Sequence, residues 1–113
     1  MKNYKKSNRK GFRLEEEVSA LFEPIFKYSK PTKNSGATYS DGDIVNPYFM
    51  IECKQRSTNN ITINSKVWKK LCGEIPIGSL KIPLYILSNI ENEKWVVLNL
   101  KDFINMVNKL YKE

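Results

Sequence analysis

The chain contains no histidine. That absence excludes imidazole general bases, histidine-ligated zinc, and hydrolysis by serine or cysteine paired with histidine. Any hydrolytic chemistry must therefore run on carboxylates, lysine and a hard cation. Cysteine is scarce: Cys53 and Cys72 are the two thiols. Both sit in apolar surroundings, and with no secretion signal they read as buried thiols rather than a bridge. For the same reason the Asn60-Ile61-Thr62 sequon reads as chance. No stretch approaches the roughly 18–20 consecutive apolar residues of a membrane span, and the basic N-terminus has no apolar segment behind it. A protein of the cytoplasm or nucleoid, with no membrane partner, is expected. Internal repeats and low-complexity tracts are also missing.

What is present suits one domain. The 113 residues are 41% hydrophobic and 12% aromatic, enough to build a core. The net charge of +7 is unevenly spread: Lys2, Lys5, Lys6, Arg9, Lys10 and Arg13 all precede the first acid, Glu15. A basic arm running into a helix suits a phosphate backbone. A solubilising tail accounts for the same charge, and charge alone does not separate the two.

Residues 1–8 read as a disordered arm and 9–113 as the folded domain. A helix is expected from about Arg9 to Glu23, with Leu14, Val18, Leu21, Phe22 and Ile25 on one stripe and Pro24 ending it. Residues 29–42 are rich in Ser, Thr, Gly, Asn and Pro and read as loop, after a short strand near Phe26–Tyr28. Strands follow at 43–46 and 48–55. Asn64 or Ser65 can cap a helix through Cys72 with Val67, Trp68, Leu71 and Cys72 inward and Gly73 at its C-terminal cap. Residues 82–89 and 94–100 are apolar strands joined by a polar turn. Asn99 followed by Asp102 starts a last helix with an apolar stripe of Phe103, Ile104, Val107, Leu110 and Tyr111. Trp68 and Trp95 are expected in the core. The fold class is α/β (α+β), a mixed central sheet flanked by helices in the order α-β-β-α-β-β-α.

One stretch breaks this plain pattern. In GDIVNPYFMIECKQR, residues 42–56, Asn46-Pro47 is a turn signal. A turn over Asn46–Phe49 pairs Val45 with Met50, Ile44 with Ile51, and Asp43 with Glu52. Residues opposite each other in an antiparallel pair have Cβ atoms about 4.5–5.5 Å apart, and like charges there are destabilising. Lys54 shares the face of Glu52 by the period of two, while Ile51 and Cys53 point the other way. One face is thus core, and the other holds Asp43, Glu52 and Lys54, flanked by Val45 and Met50. A solvated face neutralised by Lys54 is one explanation. The other is a Mg²⁺ site with oxygen ligands at about 2.1 Å, since partly buried charges at fixed spacing mark functional sites. Asp41 is an alternative to Asp43 if the hairpin is one pair longer, although Asp41-Gly42 also reads as a turn.

GDI followed by FMIECKQR, after RKGFRLEEEVSALF on a helix, resembles the PD-(D/E)xK nuclease superfamily, and within it the archaeal and phage Holliday-junction resolvases. The likeness covers roughly Arg9 to Arg56, with a looser match through IPLYILSN and KWVVL. It implies a restriction-endonuclease-like core and a single nuclease domain over 9–113. The implied activity is Mg²⁺-dependent resolution of four-way DNA junctions, with Mn²⁺ as a substitute. The resemblance makes Asp43 and Glu52 metal ligands with the Cys53 carbonyl as a third, and casts Lys54 as the group that orients water and stabilises the phosphate. Glu15 becomes the helix carboxylate, sharing the catalytic and metal-binding roles. At about 100° per residue, Glu15 lies at the edge of the apolar stripe beside Phe22, whereas Glu16 points away; a first-turn acid favoured by the helix dipole fits Glu15 equally well. Implied DNA contacts are Lys5, Lys6, Arg9, Lys10, Arg13, Lys30, Lys33, Ser35 of the NSGA loop, Gln55 and Arg56. Where related resolvases often carry arginine before that loop, this chain has Lys30 and Lys33. A junction has two scissile strands related by approximate two-fold symmetry, so a homodimer is expected, joined through the last helix or an edge strand. The resemblance also implies action at the nucleoid, including as a phage protein in a bacterial host. A nuclease for duplex, flap or single strands, and a DNA-binding accessory protein with a dead nuclease fold, are the alternatives.

Overall fold

The apolar segment IPLYILS and the segment FMIECKQ lie side by side as parallel strands in the middle of a five-stranded sheet. The computed structural model describes residues 13–26, 30–31 and 44–112. In chain order these form α1 (residues 13–22), β1 (Lys30–Pro31), β2 (Ile44–Val45), β3 (Phe49–Gln55), α2 (Ser65–Gly73), β4 (Ile82–Ser88), β5 (Lys94–Val97) and α3 (Leu100–Leu110). The strands are ordered in space as in the chain. β1–β2, β2–β3 and β4–β5 are antiparallel. Parallel β3–β4 needs a crossover connection, and α2 supplies it.

The result is an α+β fold with a mixed sheet flanked by helices. Odd-numbered Ile51 and Cys53 of β3 join Ile44, Leu84 and Ile86 under Leu14 and Val18 of α1. Even-numbered Met50 joins Tyr85 and Leu87 beneath Leu71 of α2, with Val67 and Trp68 packed alongside. Because β3 and β4 are covered on both faces, IPLYILS needs apolar residues at nearly every position rather than at alternate ones.

Local signals explain the element ends. Asn46 is fully buried, and its Oδ1 accepts from the backbone N–H groups of Tyr48 (2.8 Å) and Phe49 (3.1 Å), so the Asn-Pro turn is closed by the asparagine itself. Ile44 pairs with Ile51, the register expected from that turn. Asn64 caps α2 by accepting from Lys66 N–H (2.9 Å) and Val67 N–H (3.3 Å), and Asn99 caps α3 through Lys101 N–H (2.8 Å). Past α1, the Phe26 ring stacks on Phe22 and meets Tyr48 at a tilt and Phe49 edge-on, tying the helix end to the β2–β3 turn.

Several expectations are corrected. Leu21 and Ile25 lie exposed, since only the Leu14–Val18 side of α1 meets the sheet. Lys30–Pro31, expected within a loop, form β1 and add an element to the expected order; of the short strand expected near Phe26–Tyr28, Phe26 is not in a strand and residues 27–28 lie outside the described residues. Gly73 is the last helical residue and Glu74 the C-cap with right-handed φ/ψ, so no left-handed glycine ends α2. Trp95 is 42% exposed because β5 is an edge strand. α3 has the expected apolar stripe but no buried residue. Cys53 is buried and Cys72 half-buried, both as free thiols. Among the described residues no helix is long and apolar enough to cross a membrane.

Candidate active site

Alternation along β3 decides which side chains can work together. Ile51 and Cys53 enter the core under α1, so Glu52 and Lys54 project to the α2 face beyond buried Met50. The Glu52 side chain is 19% exposed, that of Lys54 46%, and Lys54 Nζ stands 4.0 Å from Glu52 Oε2. A carboxylate this enclosed is costly without partners, and partial exclusion of water strengthens its interaction with a cation.

The parallel register sets Tyr85 of β4 beside Glu52 and Leu87 beside Lys54. Tyr85 is wholly buried, and its enclosed hydroxyl meets no partner with full hydrogen-bond geometry. Burial pushes the phenol pKa up; the Arg56 cation opposes that, the Glu52 carboxylate adds to it, and the Asn64 backbone lowers it. Glu52, Arg56 and the capped start of α2 therefore lie within electrostatic reach of one phenol. Sequence reasoning passed over Tyr85. The signal was a single aromatic residue in an otherwise largely aliphatic strand, and using it required knowing that β3 and β4 pair in parallel.

Of the expected catalytic set, the structure brings Glu52 and Lys54 together. Asp43 and its alternative Asp41 lie outside the described residues. Glu15 is 7% exposed, whereas Glu16 and Glu17 are exposed, so the expected orientation of the helix acids holds. Glu15 rides on α1, which covers the sheet face opposite Glu52. The Cys53 thiol is also under α1, which leaves its backbone as the part of that residue suited to the Glu52 side. Among the described residues no group of three or more acidic or thiol side chains gathers.

The expected DNA contacts divide similarly. Lys5, Lys6, Arg9, Lys10, Lys33 and Ser35 lie outside the described residues, and Lys30 is placed by its backbone opposite Val45. Arg13 is exposed at the start of the described part of α1. Gln55 donates through Nε2 to the carbonyls of Asn89 (2.7 Å) and Arg56 (3.2 Å), so its amide nitrogen holds the ends of β3 and β4 together. Arg56 Nη2 donates to Thr62 O at 2.9 Å. No family model, curated protein or solved structure matches this chain.

Proposed function

We propose that this protein is a metal-dependent DNA endonuclease with a restriction-endonuclease-like core, acting on four-way junctions. The observation that carries the reading is the Glu52–Lys54 pair: a largely enclosed carboxylate and an ammonium, 4.0 Å apart on a central strand otherwise committed to core. Continuing the Ile44–Ile51 register by one residue would bring Asp43 opposite Glu52.

The donor chemistry fits a hard cation, because carboxylate oxygens suit Mg²⁺ and the Cys53 thiol is turned to the other face. Asp43, Glu52 and the Cys53 carbonyl would hold it; Glu15, carried by α1 over the other face of the sheet, is left out of this set. The ion supplies charge neutralisation and a lowered pKa for water. Lys54 contributes a fixed positive charge beside the phosphate oxygens as water adds to phosphorus and the bond to the leaving oxygen breaks. Glu52 positions that ammonium and accepts a hydrogen bond from the incoming water. The basic residues from Lys5 to Arg13 hold the strand through phosphates, without reading bases.

A two-fold dimer completes the reading, since two strands must be cut. Leu100, Phe103, Ile104, Leu110 and Tyr111 of α3 and its C-cap are 47–76% exposed. At roughly 150–250 Å² for a fully exposed large side chain, they offer roughly 500–800 Å², comparable to the roughly 800 Å² per partner of a stable interface. An eleven-residue helix is marginal alone in water, so covering this stripe favours self-association.

The test compares Mg²⁺-dependent cleavage of a labelled four-way junction with that of a linear duplex built from the same arms, for the wild type, Glu52→Ala and Lys54→Ala. Selective junction cutting that both substitutions abolish is expected. Equal cutting of the duplex makes the protein a nuclease of other specificity; no cutting in Mg²⁺ or Mn²⁺, or cutting that survives both substitutions, overturns the proposed enzyme.

A further inference from the structure

Beyond the Glu52–Lys54 pair, β3 and β4 end at a cavity of about 160 Å³ lined by Arg13, Glu17, Gln55, Arg56, Ile90 and Asn92. Liquid water occupies about 30 Å³ per molecule, so the cavity has room for a tetrahedral anion with part of its hydration. Its walls come from the start of α1, the end of β3 and the turn after β4. In open sheets, ligands settle outside the carboxyl ends of parallel strands.

The walls are held in shape before any ligand arrives. Asn89 is buried, and its Oδ1 accepts from the Glu91 (3.1 Å) and Glu93 (2.9 Å) backbones while its Nδ2 reaches Glu93 Oε1 at 2.8 Å. Asn92 sits at φ 64°, a left-handed conformation that asparagine tolerates. Gln55 locks β3 to Asn89. Arg56 N–H donates to Ser88 O at 2.7 Å, and its guanidinium is anchored by one Nη2 bond to Thr62.

Charge selects the occupant. Glu17 is an acid in the wall, but Lys94 Nζ lies 3.0 Å from its Oε2 and donates to Asn92 O at 3.1 Å, so that carboxylate is matched. Arg13 and Arg56 remain in excess. Arg56 Nε–H is enclosed with no acceptor. The guanidinium fork matches two phosphate oxygens.

We propose that this cavity is a phosphate seat, separate from the cutting site, that takes a backbone phosphate of the bound DNA strand between Arg56 and Arg13. Neither Glu52 nor Lys54 lines it, so it holds a phosphate other than the one being hydrolysed. The inference rests on the reading of the protein as one that acts on DNA, but it concerns binding and is tested without cleavage.

The test uses the full chain in EDTA. Arginine Nε–Hε signals are followed by ¹H–¹⁵N NMR during titration with inorganic phosphate and, separately, with a short duplex. Duplex affinity is measured across salt for the wild type, Arg56→Lys and Arg13→Gln, each checked for native circular dichroism. Both ligands should shift the Arg56 Nε–Hε signal. Arg56→Lys, which keeps the charge but loses the fork and Nε, should weaken duplex binding about tenfold. Arg13→Gln, at an exposed position, should reduce the slope of log K against log salt by about one. The proposal is overturned if neither ligand moves the Arg56 signal, or if both variants bind as the wild type. It is also overturned as a DNA seat if free phosphate moves the signal and duplex does not. A protein that cuts junctions yet gives any of those results loses the phosphate seat and keeps the proposed enzyme; one that fills the seat and cuts nothing does the reverse.

Discussion

The two sides of β3 differ by a shift of one residue and are opposite in character. Ile51 and Cys53 are sealed under α1 with Leu14, Val18, Leu84 and Ile86. Glu52 and Lys54 stand on the α2 side, partly open to water and close enough to interact. One side is made of shape and apolar area, and loses stability in proportion to what is removed. The other is made of charge in a fixed geometry, a poor choice for stability and a useful one for chemistry. On the proposed reading, the comparison teaches that a strand bearing reactive charges can be rigid because its reverse side is core. Preorganised charges gain strength from that rigidity, since they need not reorganise when a substrate arrives.

The largest expected break comes from the core side. Ile51→Ala should lower unfolding free energy by about 2–5 kcal/mol in urea titration, while any remaining folded protein keeps its activity per molecule. Next, on the charged side, Glu52→Gln should cut junction cleavage about 10²–10³-fold, equivalent to about 2.7–4 kcal/mol of transition-state stabilisation, with a shift of less than about 1 kcal/mol in the same titration. A Glu52→Gln protein that unfolds as readily as Ile51→Ala would erase the division between the two sides.

α3 sharpens the contrast from outside, being as apolar on one stripe as the core strands and yet uncovered. Phe103→Asp with Ile104→Asp should shift sedimentation from dimer to monomer and leave circular dichroism of the core intact. If instead the fold is lost, the stripe packs within one chain. The smallest effect is expected at Tyr85, between the sides in chemistry. Its phenol pKa is raised by burial and by Glu52, against the opposing Arg56 cation and Asn64 backbone. A raised value favours the neutral hydroxyl, so its contribution to stability is complete below about pH 10 and fades as pH rises through the folded value. Tyr85→Phe should therefore change stability by less than about 1 kcal/mol near neutrality and flatten the loss above about pH 10, both measurable by thermal melts.

Much of the fold was legible because short-range chemistry dictates it. Asn46-Pro47 set a turn whose register was correct at Ile44–Ile51, and the asparagines at 64 and 99 marked two helix starts. Each is a contest among neighbours in the chain, settled by a side-chain oxygen within three residues of the N–H it accepts. The Glu52–Lys54 pair was legible for the same reason, through the period of two. Leu21, Ile25 and Trp95 were not, since periodicity identifies an apolar side but not whether a neighbour lies against it. Gly73 misled because glycine permits a left-handed cap without requiring one.

The cavity at Arg13 and Arg56 lay further out of reach. Forty-three positions separate those two arginines, and nothing in either segment mentions the other. Their approach depends on α1 crossing β3 and on β4 arriving parallel to it, which are long-range contacts. Residue order alone could therefore set the turn, the helix caps and the face shared by Glu52 and Lys54, because each interaction spans a few bonds of chain. Which apolar stripes are covered, which phenol lies beside Glu52 and where two arginines share a cavity were settled by packing, because burial and electrostatic proximity depend on neighbours in space.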